Sequence, residues 1–169
     1  DTITGAAGAD VIDGGAGNDI FKYSTTALLV DSNALVDSLT GGDGTDTIQL
    51  TAATGTTLTL ASTDLIEARM ATMESITAGV SAGVLSITAS AALGTDGVLT
   101  IDLSGDTSAT GANIIDVSND DGSETWTLTG SAGADTITGD GGVDTITGGG
   151  GIDTITGAAG ADVIDGGAG

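Results

Sequence analysis

Hydrophobic residues recur every nine positions near both ends of the chain. From Gly130 the sequence reads GSAGADTIT, GDGGVDTIT, GGGGIDTIT and GAAGADVID, and every unit has an apolar residue at its eighth position. Because side chains alternate along a strand, the end of each unit predicts a short strand with one buried side chain, as in Thr136-Ile137-Thr138. One buried residue cannot form a core, so the units must stack. The eighth-position residues are Ile3, Ile12, Phe21, Ile48, Ile137, Ile146, Ile155 and Ile164.

The first six residues of each unit predict a turn that reverses the chain. Glycine stands first and fourth, where it permits positive φ and close approach of neighbouring backbones, and aspartate stands sixth. A second turn is needed to close a coil, so each coil contains two consecutive units. Units two apart then stack at about 4.8 Å. Asp135 is therefore expected to lie above Asp153. Asp144 is expected above Asp162.

Residues 50–129 lose the nine-residue unit but keep an alternation of apolar and polar positions. Segments such as Leu99–Leu103, Ile115–Val117 and Trp126–Leu128 recur between turn-forming residues, which predicts β-structure. Two architectures fit: a continuous solenoid with longer coils, and a β-sandwich inserted between two rolls. We favour the solenoid because the strand at Trp126 runs into Gly130 without a linker.

One short segment has a different period. Ile66, Met70 and Met73 follow helical spacing, and Asp64 can cap a helix with Glu67 three residues later, which predicts one short helix near 64–74. The chain is otherwise predicted to be all-β. The predicted sections are 1–22 (nine-residue units), 23–129 (a Thr/Ala/Gly-rich solenoid or sandwich-like region with an isolated unit at 41–49) and 130–169 (nine-residue units).

A much longer repeat encloses the short one. Residues 1–17 and residues 153–169 have the same sequence, DTITGAAGADVIDGGAG, at an offset of 152 residues. Two explanations are open: a parent protein built of tandem 152-residue repeats, and a chain made with matching ends. The first is the simpler, and long identical repeats suit reach or multivalency better than catalysis.

Composition removes several classes of function. Twenty-four acidic residues against two basic ones give a net charge of −22, so the chain repels nucleic acid and anionic membranes. Without Cys or His there is no zinc site of the usual Cys/His type, no disulfide and no triad that uses those residues. We therefore expect a protein that is not an enzyme and holds no catalytic residues.

The aspartates and glycine carbonyls of stacked turns are all hard oxygen ligands. Calcium takes about 6–8 such oxygens in flexible geometry, whereas magnesium prefers a rigid octahedron and keeps its waters. Aspartates that repel one another without metal become ligands with it, so binding energy becomes folding energy. The candidate calcium ligands are Asp1, Asp10, Asp19, Asp46, Asp135, Asp144, Asp153 and Asp162, with the turn glycines Gly133, Gly142, Gly151 and Gly160.

These units resemble the glycine- and aspartate-rich nonapeptides of the RTX (repeats-in-toxin) family. The resemblance implies a right-handed parallel β-roll or β-solenoid, several Ca²⁺ ions in the glycine-rich turns, and type I secretion. The sequence departs from the family pattern at the second position of four units, which is expected to weaken particular sites without removing the aspartate. The isolated unit at Asp46 has no partner unit one two-unit coil away, which makes its site less certain. The four departures are Ala6, Ser131, Asp140 and Ala158.

The sequence thus indicates a calcium-binding structural repeat of a large secreted cell-surface protein, in a surface layer, filament or adhesin stalk. Its expected partners are neighbouring repeats of the same chain and other copies of itself, with no nucleic acid and no membrane insertion. Two alternatives stay open. One is an adhesive module, or an ice-binding module that uses outward threonine ladders at 136–138, 145–147 and 154–156. The other is the calcium-dependent C-terminal domain of a secreted RTX enzyme.

Overall fold

The computed structural model describes residues 1–24, 30–31, 34–35, 37–51, 56–59, 70–79, 84–89, 99–120, 122 and 124–169. Every regular element among these residues is a β-strand, as the sequence predicts. The strands are β1 (Thr2–Thr4), β2 (Val11–Ala16), β3 (Ile20–Tyr23), β4 (Val30–Asp31), β5 (Ala34–Leu35), β6 (Ser38–Asp43), β7 (Thr47–Leu50), β8 (Thr56–Thr59), β9 (Met70–Ala71), β10 (Ser75–Ala78), β11 (Leu85–Thr88), β12 (Thr100–Asp102), β13 (Ile114–Asp116), β14 (Thr127–Thr129), β15 (Thr136–Thr138), β16 (Thr145–Thr147), β17 (Thr154–Thr156) and β18 (Val163–Asp165).

Parallel pairing organises almost all of these strands. Eight of them form one sheet in the order β1-β3-β7-β10-β12-β14-β16-β18. A five-stranded sheet has the order β17-β15-β13-β11-β8, a three-stranded sheet has the order β2-β6-β9, and β4 with β5 forms a small antiparallel pair. The chain passes back and forth between the eight-stranded sheet and the two shorter parallel sheets. This winding is that of a parallel β-solenoid, which confirms the predicted fold class.

Coil length changes along the solenoid while the pairing continues. Thr2 pairs with Ile20 and Thr145 pairs with Val163, so the coils at both ends have the length of two units. In between, Thr47 pairs with Ser75, which makes that coil longer. Apart from the short pair β4 and β5, the described strands of the middle section are parallel members of the same sheets, whereas an inserted sandwich is built of antiparallel sheets. The continuous solenoid therefore describes them, and the section boundaries at 22 and 129 stay a prediction.

The core is a ladder of apolar side chains between the sheets. Each strand of the eight-stranded sheet contributes one residue in register with its neighbours, and the inner members of this ladder are at most 1% exposed. A fully buried aliphatic side chain contributes roughly 1.5–3 kcal/mol, so the ladder is the main apolar driving force for stacking. Its members are Ile3, Phe21, Ile48, Ile76, Ile101, Leu128, Ile146 and Ile164.

The helix predicted near 64–74 is wrong at its C-terminal end. Met70 and Ala71 form β9, which pairs in parallel with Leu39 and Thr40, and Met73 is fully buried just beyond it. Pairing with an existing sheet and burial of Met73 outweigh helical spacing in so short a segment. Residues 64–69 lie outside the described residues. Among the described residues there is no helix with the length and apolarity to cross a membrane.

The two identical 17-residue segments occupy different sheets. Thr2–Thr4 belong to the eight-stranded sheet, and their counterparts Thr154–Thr156 belong to the five-stranded sheet. Likewise, β2 lies in the three-stranded sheet, whereas its counterpart β18 lies in the eight-stranded sheet. The local sequence thus determines strand and turn, and the position along the winding determines the sheet.

Candidate metal sites

The sixth-position aspartates point into the turns and accept hydrogen bonds from the preceding coil. The backbone N–H of Asp135 donates to Oδ1 of Asp153 at 2.9 Å, and the N–H of Asp144 donates to Oδ1 of Asp162 at 3.1 Å. Both predicted pairs therefore lie one above the other. Asp144 is itself fully buried, and its Oδ1 accepts the N–H of Trp126 at 3.0 Å. These bonds tie each turn to the next at strand spacing.

The aspartates fall into two stacks of turns. The major stack comprises the turns that lead into the eight-stranded sheet (14–19, 41–46, 139–144 and 157–162), and the minor stack comprises those that lead into the shorter sheets (5–10, 130–135 and 148–153). Within each stack the N-terminal and C-terminal aspartates are separated by the longer coils of the middle section. The major stack holds Asp1, Asp19, Asp46, Asp144 and Asp162 with Gly142 and Gly160, and the minor stack holds Asp10, Asp135 and Asp153 with Gly133 and Gly151.

Three polar residues that the sequence analysis missed take the place of the aspartate in longer coils. Asp37 Oδ1 accepts the N–H of Asp10 at 2.9 Å, Glu74 accepts that of Asp46 at 2.6 Å, and Asn113 accepts that of Leu85 at 2.7 Å. Each stands directly before a short strand, as the aspartates do. A polar residue directly before a strand is visible in the sequence. These three were missed because stacked turns were expected at the spacing of two units, whereas donor and acceptor are 27 or 28 residues apart here.

Asp46 is accordingly not isolated. Its Oδ1 accepts the N–H of Asp19, 27 residues earlier, at 2.8 Å, and its own N–H reaches Glu74, 28 residues later. The Asp46 site was expected to be less certain because it has no partner unit at the spacing of two units. The structure supplies partners on both sides at the longer spacing.

The second carboxylate oxygen is unpaired in three of the turns. Oδ2 of Asp19, of Asp46 and of Asp153 is buried and has no hydrogen-bond partner. A buried carboxylate oxygen without a partner costs several kcal/mol, so it calls for a ligand that the protein itself does not provide. These three atoms are the clearest sign of a cation in the described part of the chain.

Each unpaired oxygen faces a small space beside the first glycine of its own unit. A Cβ on Gly14 would lie 2.6 Å from both Asp19 Oδ2 and the carbonyl oxygen of Gly41 in the next coil. A Cβ on Gly148 would likewise meet Asp153 Oδ2 and the carbonyl oxygen of Gly166. Glycine thus leaves a cradle where a carboxylate and a carbonyl from successive coils converge.

The second position of the unit decides whether that oxygen is free. Gly15, Gly42 and Gly149 take positive φ of 92°, 107° and 105°, and they belong to the units whose Oδ2 is unpaired. In two of the four units with a departure, the N–H of Ser131 donates to Asp135 Oδ2 at 2.6 Å and that of Asp140 donates to Asp144 Oδ2 at 3.1 Å. In these two units the oxygen therefore has a donor from the protein, and the weakening of their calcium sites stays a prediction.

Ala158 departs in another way, because it keeps the positive φ (68°) that its glycine counterparts have. This conformation is disfavoured for a residue with a Cβ. Ala158→Gly is expected to raise the free energy of unfolding by about 1 kcal/mol, since the strain disappears and the side chain is exposed. Urea unfolding in calcium would show a higher midpoint, and an unchanged or lower midpoint would contradict the strained turn.

Where the nine-residue pattern is lost, hydrogen bonds from other protein side chains satisfy buried carboxylates. Asp37 Oδ2 accepts the hydroxyl of Tyr23 at 2.7 Å, and Asn113 Nδ2 donates to Asp106 at 3.1 Å. Burial, the hydrogen bond to Asp37 and the nearby charges of Asp37 and Asp10 raise the pKa of Tyr23, so its hydroxyl stays a donor. Protein donors thus satisfy the carboxylates of Asp37 and Asp106, whereas three of the glycine turns leave a carboxylate oxygen for a cation.

The pKa of Asp144, in the major stack, also indicates a cation. Burial raises the pKa of Asp144, and the negative charges of Asp140 and Asp162 add to this, although the N–H groups of Trp126 and Asp140 oppose it. The ionised carboxylate is thus disfavoured without a counter-charge. A divalent cation reverses the balance, because it compensates the charge that burial and neighbouring carboxylates make unfavourable.

The residues fit calcium. The donor set consists of carboxylate and carbonyl oxygens, which are the ligands that calcium prefers. Asp19 with the Gly41 carbonyl, and Asp153 with the Gly166 carbonyl, would hold ions between successive coils. Calcium supplies the charge that lets these carboxylates be buried together. The remaining predicted ligands stay predictions.

A parallel β-solenoid with stacked glycine turns and inward aspartates defines a class of metal-stabilised repeat proteins. The RTX calcium-binding nonapeptide repeat family matches the chain in four copies, at residues 1–22, 34–51, 127–155 and 138–169. These four segments belong to this repeat family, whose nonapeptides bind calcium. The match at 34–51 includes Asp37, one of the residues missed above. No curated protein and no solved structure matches the chain.

Proposed function

We propose that the chain is a structural repeat of a large secreted cell-surface protein, which folds and becomes rigid when it binds several Ca²⁺ ions outside the cell. The observation that carries this proposal is the set of unpaired, buried Oδ2 atoms of Asp19, Asp46 and Asp153. The net charge of −22 adds to it, because so many like charges favour an expanded chain until cations compensate them. RTX repeat proteins are typically secreted, which supports the compartment.

A structural role fits the chemistry better than an enzymatic one. The sequence has no His and no Cys, and the buried aspartates serve as acceptors within the turns. The 152-residue repetition supports neighbouring repeats and other copies of the chain as partners, in a surface layer, filament or adhesin stalk. It argues against the C-terminal domain of a secreted enzyme, for which repetition of a whole intervening segment has no use.

Calcium addition to the metal-free chain tests this proposal directly. Circular dichroism is expected to show little β-structure in chelator and a β-spectrum in millimolar calcium. The physical reason is linkage: a site at about 100 times its Kd adds about 2.7 kcal/mol to stability, and several sites act together. Magnesium at the same concentration is the control and should have a much smaller effect. A full β-spectrum in chelator would overturn the proposal.

The ice-binding alternative loses support from the winding. The threonines at 136–138 and 154–156 pair with each other in the five-stranded sheet, but those at 145–147 lie in the eight-stranded sheet. The ladder in the five-stranded sheet ends at β13, where Ile114 and Asp116 are the partners of Thr136 and Thr138. In the eight-stranded sheet Thr145 and Thr147 pair with Thr127 and Thr129 on one side and with Val163 and Asp165 on the other. Each sheet thus has two consecutive rungs with threonine at both positions, which make a small patch, and threonine suits an exposed strand without any ligand.

A further inference from the structure

Three carboxylates outside the set of sixth-position aspartates converge between two consecutive turns of the major stack. One oxygen from each of Asp120, Glu124 and Asp140 lies within 4.8 Å of the others. Asp120 and Glu124 belong to the long connection between β13 and β14, and Asp140 belongs to the turn between β15 and β16. The group therefore spans the junction between the middle section and the C-terminal nonapeptides.

Asp140 provides a second, independent sign of a ligand. The residue is 3% exposed, its Oδ1 accepts the N–H of Gly142 at 2.8 Å, and its Oδ2 is buried without a hydrogen-bond partner. This carboxylate is thus fixed by one oxygen, and its other oxygen is buried without a donor from the protein. The chain has only two basic residues, Lys22 and Arg69, so protein cations are scarce. Acidic groups so close together repel one another, and a bound cation would offset that repulsion.

The sequence departs from the repeat pattern at the junction where the three carboxylates lie. Trp126 stands immediately before β14, in the position that aspartate occupies before β16 and β18, so the long connection offers no sixth-position carboxylate. In the next turn the second position carries Asp140 instead of glycine. It is the only one of the four departures that adds a carboxylate, since the others are Ser131, Ala158 and Ala6. The acidic group thus replaces the missing ligand of the junction.

We propose that Asp120, Glu124 and Asp140 bind a divalent cation of the calcium type that joins the long coil to the first complete coil of nonapeptides. None of the three is a sixth-position aspartate of the repeat. The proposal goes beyond the proposed function, which concerns the nonapeptide turns. The cation would act as a clamp at the junction, where coil length changes and the regular ladder of aspartates is interrupted.

Trp126 offers a local probe of this site. It is fully buried, it is the only tryptophan, and its Nε1 donates to Asp120 Oδ2 at 3.2 Å. Terbium(III) binds oxygen sites in place of calcium and luminesces when a nearby excited tryptophan transfers energy to it. Excitation of Trp126 therefore reports on ions at the junction far more strongly than on ions at the N-terminal turns.

The experiment compares matched variants of the whole chain. Asp140→Asn keeps the oxygen that accepts the Gly142 N–H and removes the charge of the carboxylate. Glu124→Gln likewise removes the charge of a cluster carboxylate, in the connection between β13 and β14. Asp13→Asn makes the same kind of substitution at an exposed ninth position and serves as the control. Calcium stoichiometry by equilibrium dialysis and Trp-sensitised terbium luminescence are measured for each variant. Asp140→Asn and Glu124→Gln are each expected to lose one bound Ca²⁺ per chain and part of the terbium signal, since Trp126 also contacts Asp144, whereas Asp13→Asn keeps both.

The outcomes separate this site from the nonapeptide sites. Unchanged calcium stoichiometry in Asp140→Asn would overturn the proposal. Loss of an ion in Asp140→Asn but not in Glu124→Gln would also overturn it, because that ion would then belong to the Asp144 turn. If Asp140→Asn fails to fold, Glu124→Gln alone decides by the same two measurements. A wild-type chain that binds no calcium contradicts the proposed function as well, whereas a wild-type chain that binds calcium with no loss in either variant contradicts only the junction site.

Discussion

Gly133→Ala is expected to lower the free energy of unfolding by about 3 kcal/mol even with calcium bound. A Cβ at this position would overlap the carbonyl oxygen of Gly111 in the preceding coil and would lie 3.1 Å from that of Ser108. Both obstacles are backbone atoms, which cannot rotate away as a side chain does. Either the turns of the minor stack move apart or strand pairing is lost. Urea unfolding in saturating calcium measures the change.

Gly166→Ala is the matched control. A Cβ there would meet nothing within 4 Å, and Gly166 does not have a positive φ. This substitution is expected to change stability by less than about 0.5 kcal/mol. Equal effects of the two substitutions would mean that successive turns are not in backbone contact, and the stacked arrangement of the turns would have to be abandoned.

Asp144→Ala is expected to have a second large effect on the free energy of unfolding of the calcium-bound chain. Its two oxygens accept the N–H groups of Trp126 and Asp140, and the residue is fully buried. Each buried N–H left without an acceptor costs about 1–3 kcal/mol, so about 2–6 kcal/mol is lost before any effect on calcium. The loss grows further because a candidate ligand disappears as well. Urea unfolding in saturating calcium measures the total loss, and equilibrium dialysis shows whether a bound ion is lost with it.

Asp13→Ala removes the same charge at an exposed ninth position and provides the comparison. It should leave stability within about 0.5 kcal/mol of the unsubstituted chain. If Asp144→Ala behaved like Asp13→Ala, the sixth-position aspartates would be ordinary solvated turn residues. That result would contradict the hydrogen-bonded ladder as well as the calcium sites.

The repeat pattern predicted the solenoid because one apolar residue per unit leaves stacking as the only way to form a core. It also predicted that Asp135 would lie on Asp153, since two units close a coil. The same reasoning extends to Ile76 and Ile101, which no nine-residue unit precedes in the sequence, yet which lie in the ladder with Ile48. For the strands, the alternation of polar and apolar residues carries most of the information.

The length of the coils could not be predicted from short-range patterns in the sequence. Nothing local in the sequence shows that Asp46 reaches Asp19 over 27 residues, because loop length hardly changes the cost of closing a coil. For the same reason Glu74 and Asn113 were passed over. Met70 was assigned to a helix on spacing alone, although pairing with Leu39 decides its conformation. Long-range register has to be seen in three dimensions.

The placement of identical sequences in different sheets has a consequence for any longer assembly. From β1 the eight-stranded sheet reaches β16 after six coils, and β17, the counterpart of β1, follows half a coil later. In a tandem array with the 152-residue period, each repeat would advance by about 31 Å, at about 4.8 Å per coil, and would turn by 180°. Such a fibre has a twofold screw axis along its length. Any patch on its flank would alternate between left and right, so lateral contacts through that patch would be offered on both sides and would favour a flat layer.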